Sequence, residues 1–210
     1  MLGLYIGIIL LLNIPYVQHR MSVLVAKELS TVLGSELTVG RINIGLLNRI
    51  IIDDLVLNDQ LGKELLKIGR LSAKFEILPL FSGKISIGNV QLFSFNANLE
   101  RPTPQASTNF QFVLDAFASK DTVKKKSNLD LRINSLLIRR GKVSYDVLSA
   151  ESTPGKFNPQ HIRLSNILAN VSLKALQNDS VNAAIKRMSV EEEHSGFEPV
   201  SYTHLTLPTT

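Results

Sequence analysis

The sequence predicts a mainly β fold, with an N-terminal transmembrane helix and an amphipathic helix followed by a curved, mostly antiparallel β-sheet that forms an open groove. Three observations support this prediction. Residues 2–17 are almost wholly apolar, and Asn13 is their one strongly polar residue. Apolar residues recur at helical spacing up to Leu33, and at a spacing of two after Glu36. A short apolar unit, broken by Gly, Asn or Ser, then recurs along most of the remaining chain.

Residues 1–17 are predicted to anchor the chain in a membrane. A helix of that length spans about 25 Å, slightly less than the ~30 Å hydrocarbon core of a bilayer. A cleaved signal peptide is one alternative, but no Lys or Arg precedes Arg20 and no small-x-small cleavage site follows. A buried core helix is another. The predicted anchor residues are Leu4, Ile6, Ile8, Ile9, Leu10, Leu11, Leu12 and Ile14.

Charge leaves the orientation of this anchor open. Arg20 and Lys27 follow the segment, and by themselves they favour a cytoplasmic location for the chain after it. A basic start upstream of Met1 would reverse that orientation.

Residues 18–34 are predicted to form the amphipathic helix. The apolar residues of this segment fall at helical spacing, and Gly34 stands where a C-terminal cap belongs. Pro15 indicates a kink or break between the anchor and this helix.

The recurring unit after Glu36 predicts strands with one irregular step. In the first copy, Leu37 and Val39 precede Gly40, and Ile42 and Ile44 follow it. The step of three between Val39 and Ile42 would turn the second half to the other face of a regular strand. A bulge at Gly40 would restore the apolar face, and a tight turn is the alternative. The other copies are residues 66–73, 85–92, 131–138 and 162–169.

These units predict two β-blocks. The first block spans residues 35–100, residues 101–128 hold a short helix near 109–119 and a linker, and the second block spans residues 129–197. Additional strands are expected at residues 50–57, 71–77, 93–99 and 142–148. Residues 198–210 do not continue the pattern, and they resemble the translation of a sequencing adapter, which predicts a tail that is not native.

The sequence offers no catalytic constellation. The four histidines lack metal-ligand spacing, and there is no nucleophile elbow, phosphate loop or dinucleotide fingerprint. The pair Asp53-Asp54 is interpreted as a polar strand edge or turn. We therefore expect no enzyme activity, no cofactor and no metal. Trp is absent and aromatic residues make up 6% of the chain, which disfavours nucleic acid as a partner.

Four segments in order resemble one family. They are Glu36–Ile44, Ile51–Asp59, Ile77–Ile85 and Asn109–Phe117. With the N-terminal apolar segment, they resemble the N-terminal part of AsmA-like, TamB-type envelope proteins, and most of all those of Bacteroidetes. The resemblance implies a single-pass protein of the bacterial inner membrane, with its β-groove in the periplasm, that moves phospholipid toward the outer membrane.

The groove implied by this resemblance would shield acyl chains without covalent chemistry. An alternative role is a scaffold or assembly factor for outer-membrane proteins that works with a TamA-like barrel partner. The residues predicted to line the groove are Leu37, Val39, Ile42, Ile44, Ile85, Ile87, Val90, Leu92, Phe93 and Phe95. An ordinary sheet core is the other interpretation of these same side chains.

Overall fold

A computed structural model describes residues 10–45, 48–76, 85–118, 129–130, 135–153, 155–177, 180–193 and 205–206, together with Gly3 and Gly7. The described helices include α1 (Pro15–Leu33) and α2 (Gln111–Ala118). The strands are β1 (Leu37–Gly45), β2 (Arg49–Asn58), β3 (Glu64–Phe75), β4 (Ile85–Arg101), β5 (Leu129–Asp130), β6 (Ser135–Val147), β7 (His161–Gln177), β8 (Ser180–Glu192) and β9 (Leu205–Thr206).

All of these strands belong to one sheet, in the order β1-β2-β3-β4-β6-β7-β8-β9, and the short β5 also pairs with β4. Neighbours are antiparallel except β4 with β6 and β4 with β5. The prediction of a mainly β, mostly antiparallel fold is therefore confirmed. The two predicted blocks meet at the β4–β6 pair, which is parallel because the connection between these strands crosses over and carries α2.

The strands are longer than the repeating units suggested. Residues 71–77 were expected to form a separate strand, but residues 71–75 are the end of β3. Residues 93–99 likewise lie in the middle of the 17-residue β4. The irregular steps therefore do not end the strands, which excludes a tight turn at Gly40 or Gly69.

A line of left-handed residues crosses the sheet, level with the steps at Gly40 in β1 and Gly69 in β3. Asp54, Ser94, Arg140 and Asn166 have φ of 55°, 52°, 55° and 50°. Pairing on both sides of Asp54 places it opposite Gly40 on β1 and Gly69 on β3, and Ser94 on β4 lies opposite Gly69 in turn. We call this transverse line the crease. It bends the strands at one common level, so the register between β1 and β2 is the same on both sides.

The crease keeps the apolar residues on one face. Two successive residues of a strand lie on the polar side there, as Asp53 and Asp54 do in β2, and alternation then resumes. The bulge predicted at Gly40 is therefore wrong, because the β1–β2 register does not shift. A bulge does occur at Gly88, where Lys74 pairs with Asn89 but Phe75 pairs with Ile87.

Glycine is needed along the crease because neighbouring strands approach closely. A Cβ at position 40 would lie 2.9 Å from the Cβ of Asp54. A Cβ at position 141 would run into the ring of Phe95 and lie 3.0 Å from the Cβ of Ile167. At these two positions, the strands can align their bends because one partner lacks a side chain.

Helix α1 lies antiparallel to β1 and covers this edge of the sheet. Ile14 is extended, Pro15 opens the helix, and Gly34 ends it with a left-handed φ of 64°. The break at Pro15 and the cap at Gly34 are thus as predicted, although Tyr16 and Val17 belong to α1 rather than to the anchor. Within the described residues, no helix is both long and apolar enough to cross a membrane.

Side chains of α1 and of the residues before it bind the outer backbone groups of β1. The Ser30 hydroxyl accepts a hydrogen bond from the Leu37 N–H at 2.9 Å and donates to the Leu37 carbonyl at 3.3 Å. The Asn13 amide donates to the Ile44 carbonyl at 2.8 Å. These bonds satisfy backbone groups that an edge strand otherwise presents to other chains.

The hydrophobic core lies where α1 and α2 meet the same end of the sheet. Its centre is Leu65, which is fully buried. Leu33 of α1 and Val113 of α2 pack with it, together with Leu37 and Leu57 from the sheet. We call this the covered end; the short helix predicted near residues 109–119 is confirmed as α2.

Replacing Gly141 with Ala should destabilise the fold by about 2 kcal/mol, because the added methyl group collides with Phe95 and Ile167. Gly45→Ala is the matched control, since a Cβ there meets its neighbours at 3.5 Å or more, and its effect should stay within about 0.5 kcal/mol. Urea unfolding measures the change in the free energy of unfolding for both variants, and both should keep the m-value of the parent protein. Equal costs at the two glycines would contradict the close approach at the crease.

The substitution Ser30→Ala should lower the free energy of unfolding by about 1 kcal/mol, because the Leu37 N–H and carbonyl lose their hydrogen-bond partner. Thr31→Ala is the control on the same helix, where the hydroxyl only bonds back to the Lys27 carbonyl. Both changes gain similar helix propensity, so the difference in free energy of unfolding isolates the edge contact. A Ser30→Ala variant as stable as Thr31→Ala would show that α1 does not seal β1 in this way.

Candidate functional site

Two rows of apolar side chains cross the sheet on the far side of the crease from the covered end. Residues that pair directly across strands lie on the same face, so the strand registers define each row. The outer row is Ile44, Ile50, Ala73, Val90, Leu136, Val171 and Ile185. The inner row is Ile42, Ile52, Leu71, Leu92, Ile138, Ala169 and Met188. We call these the two apolar rows.

The two apolar rows are less buried than the covered end. Most of their side chains are only partly buried, and Ile42, Ala73 and Ala169 are the buried exceptions. The core cluster with α1 and α2 stops at Val39, Leu66 and Leu99, which lie on the other side of the crease. The apolar face is therefore closed by helices at one end and accessible along much of the other.

Most of the predicted groove residues lie on this face. Ile44, Val90 and Leu92 are in the rows and partly exposed, and Ile42 is in the inner row but buried. Val39 and Phe95 lie on the same face beyond the crease. Leu37 belongs to the buried core, so it lines the covered end rather than an open surface. The side chains of Ile85 and Ile87 lie outside the part of the chain that the structure describes.

Phe93 is the one predicted lining residue that the structure places on the opposite face. It pairs with Arg70 on one side and Arg139 on the other. The Arg139 guanidinium lies 5.7 Å from the centre of its ring, a cation–π contact. Phe93 directly follows Leu92 within β4, and successive residues point to opposite faces.

Sequence reasoning missed ten of the fourteen residues in these rows. The missed residues are Ile50, Ile52, Leu71, Ala73, Leu136, Ile138, Ala169, Val171, Ile185 and Met188, and the first seven of them lie in segments that were predicted to be strands. Their alternation was visible in the sequence, but the pairing that sets them beside Val90 and Leu92 was not.

The polar face carries charge where the crease crosses it. The Arg70 Nε lies 2.6 Å from Asp53 Oδ1, and the Asn43 amide reaches Asp53 Oδ2 at 3.5 Å. Asp54 lies beside them in a shallow hollow of about 390 Å³. The carboxylate pair is thus inside β2 and engaged with Arg70, and the predicted edge or turn at this position is wrong. An ion pair this exposed contributes little to stability.

A larger hollow of about 450 Å³ lies between α2 and the β2–β3 turn. Its charged side chains bind one another or the backbone. Asp59 Oδ1 accepts the N–H groups of Leu61 and Lys63, and the Lys63 Nζ lies 2.9 Å from Glu100 Oε2. These contacts fix the β2–β3 turn and join it to β4, so the hollow has a structural role.

Among the described residues, no group of three or more His, Cys, Asp or Glu side chains is placed to hold a metal ion. Comparisons of the chain with protein-family models, curated proteins and solved structures gave no match. The candidate site therefore depends on the geometry of the sheet, and the two apolar rows are its most extensive feature.

An ion cluster fixes the β6–β7 connection at the covered end. His161 Nδ1 lies 2.9 Å from Asp146 Oδ1, and its Nε2 lies 3.0 Å from the Ala150 carbonyl. Both ring nitrogens face acceptors, so the protonated ring fits best, and the bond to Asp146 raises the pKa of His161. Burial alone would raise the pKa of Asp146, but hydrogen bonds from Arg163 and His161 lower it below its usual range.

This cluster predicts that stability falls as the pH rises through neutrality. The pKa of His161 is higher in the folded chain than its value of about 6.5 in the unfolded chain. The protonated His161 therefore contributes fully to the free energy of unfolding below pH ~6.5, and this contribution is lost as the pH rises through the pKa of the folded state. His161→Gln should therefore lower the free energy of unfolding more at pH 5.5 than at pH 8.5, in urea titrations of both proteins. Asp146→Asn should remove the same pH dependence. A pH-independent difference between parent and His161→Gln would contradict this assignment.

Proposed function

We propose that this chain is the N-terminal part of an inner-membrane-anchored periplasmic protein, and that it carries phospholipid acyl chains along the apolar face of its sheet. The observation that supports the proposal best is the pair of apolar rows that runs across the long strands. With strands about 4.8 Å apart, seven strands make each row about 29 Å long. No covalent step is part of this function.

The energetics suit transfer along a surface. Exposing an acyl chain to water costs about 0.8 kcal/mol for each CH2 group, so a full chain cannot cross water quickly without cover. Partly exposed Ile, Leu and Val side chains supply that cover without a chemical reaction. The polar groups of a phospholipid remain in water, because a sheet face shields only one side of the molecule.

The division of the apolar face into a buried core and a more accessible part also supports this function. The covered end uses α1, α2 and the buried Leu65 for stability. The crease separates this core from the rows, and the glycines at positions 40 and 69 let β1 to β4 bend together there. Stability thus does not require the rows to be closed.

The anchor is part of the proposal. Leu4, Ile6, Ile8 and Ile9 lie outside the described residues, and Leu10 and Leu11 are 67% and 57% exposed. Exposed leucines directly before α1 fit a segment that continues into lipid. The cations after this segment do not determine which side of the membrane the sheet occupies; the periplasmic location depends on the family resemblance.

An assembly factor for outer-membrane proteins is the second candidate, because β8 has an edge that can accept another strand. The described β9 pairs with β8 only at Ala184 and Ile185. Strand addition to such an edge is a common way to bind an extended segment of another protein. This role predicts a protein partner, such as a barrel, rather than a lipid.

A photocrosslinking residue at Val90 should label phospholipid in cells, because Val90 lies in the outer row and is partly exposed. The same residue at Gln91 is the matched control, since it is the next position on β4 and lies on the opposite face. Mass spectrometry of the adducts distinguishes lipid from protein. Equal lipid labelling at positions 90 and 91 would sink the groove proposal, and protein adducts alone at position 90 would favour the assembly role.

A further inference from the structure

The outward side of α1 presents a stripe of apolar residues. Val17, Met21 and Leu24 follow one another at steps of four and three, which places them on one side of α1, and Ile14 directly precedes the helix. We call them the outer stripe. Ile14 is 47% and Leu24 is 60% exposed, and Val17 and Met21 are partly exposed. Apolar residues in line on a helix surface need a partner more than scattered ones do.

The sheet does not supply that partner, because β1 uses another side of α1. Ser22 and Leu33 are buried there, and Ala26 and Leu29 pack toward the core beside them. Small residues such as Ser22 let the helix lie close to the edge strand. The outer stripe lies on a different side of α1 from these residues, and within the described chain Ile14 and Leu24 stay exposed while Val17 and Met21 are only partly buried.

The stripe continues the apolar N-terminal segment. Leu10 and Leu11 are exposed just before it, and residues 2–12 are all apolar or glycine apart from the hydroxyl group of Tyr5. Asn13 donates its hydrogen bond to Ile44, so the place where this segment leaves the sheet is fixed beside the end of β1. If residues 1–12 enter a bilayer, the first turns of α1 lie at its surface.

The charges on α1 match that location. Arg20 and Lys27 are exposed, and Arg20 lies over the Tyr16 ring at 5.5 Å and donates to the Tyr16 hydroxyl at 3.2 Å. Tyr and basic side chains beside an apolar stripe are typical of helices that lie in a membrane interface. Glu28, the single acid of α1, comes after Leu24, so residues 15–24 carry no negative charge beside the outer stripe.

We infer that α1 lies in the surface of an anionic phospholipid bilayer, with the outer stripe in contact with acyl chains. This inference rests on the anchor in the proposed function. Because α1 runs antiparallel to β1, the strands then lie parallel to the membrane, and the sheet extends away from it from β1 to β8. The apolar rows begin at β1, so Ile44 and Ile42 lie nearest the lipid from which cargo would be taken.

The chain has no cysteine, so single cysteines can carry an environment-sensitive dye at chosen positions. The full chain would be reconstituted into vesicles of phosphatidylethanolamine and phosphatidylglycerol, with and without lipids brominated near the headgroup. Three variants are compared: Leu24→Cys on the outer stripe, Lys186→Cys on β8 at the opposite edge of the sheet, and Ile8→Cys in the predicted anchor. The exposed Leu24 and Lys186 can be replaced without loss of packing.

The inference predicts that brominated lipid quenches the dye at position 24, while the dye at position 186 remains in water and unquenched. Quenching at position 8 without quenching at position 24 would overturn the inference and leave the anchor intact. A blue-shifted but unquenched dye at position 24 would also overturn it, since a second copy or another protein would then cover the stripe. Absence of quenching at all three positions would overturn the anchor as well. The photocrosslinking experiment at Val90 tests the groove separately from all of these outcomes.

Discussion

The fold depends on the crease, where the left-handed Asp54 lies between two glycines on the neighbouring strands. A strand can hold a left-handed residue such as Asp54 only if the strand beside it does not place a side chain in the same space. Gly40 and Gly69 meet that condition on the two sides of Asp54. From β1 to β4, the backbone pairing resumes in the same register beyond the crease, whereas the β7–β8 register shifts between Ser165 and Leu168. The close approach of these strands at the two glycines therefore sets the bend of the first half of the sheet.

The crease also divides the apolar face into two parts with different roles. On one side, Leu37, Leu57 and Leu65 are closed by α1 and α2 and form the stabilising core. On the other side, the two apolar rows continue across the sheet with most side chains only partly buried. A sheet that stabilises itself at one end can leave apolar surface accessible at the other. This arrangement is what a carrier of acyl chains requires, and it is why we favour that function.

The two edges of the sheet also differ in how their outer backbone groups are paired. Ser30 and Asn13 satisfy outer backbone groups of β1, so that edge is protected by α1. The described β9 covers only two residues of β8. The exposed apolar stripe of α1 lies along the protected edge, which is the edge where we propose the membrane contact.

Much of this architecture was predictable because it depends on local chemistry. The spacing of apolar residues indicated α1, and Gly34 marked its end because glycine adopts a left-handed φ without strain. The repeated unit indicated strands with an irregular step, although the bulge proposed at Gly40 occurs instead at Gly88. The step at Gly40 was misinterpreted because the unusual backbone angle belongs to Asp54 on the next strand. Phe93 was misplaced because its face depends on where in β4 the crease falls.

By itself, the sequence determined the class of fold, the helix α1, the presence of apolar strand faces and the absence of recognisable catalytic motifs. The spacing of apolar residues and the capping residues determine structure within a few positions of the chain, so the sequence alone reveals their effect. Only the tertiary structure decided that the two blocks form one sheet, that β4 and β6 are parallel, and that the bends align. Those features depend on contacts between residues far apart in sequence, such as Phe95 with Gly141. Position 141 must lack a side chain because the Phe95 ring occupies that space, and this contact exists only once the strands lie side by side.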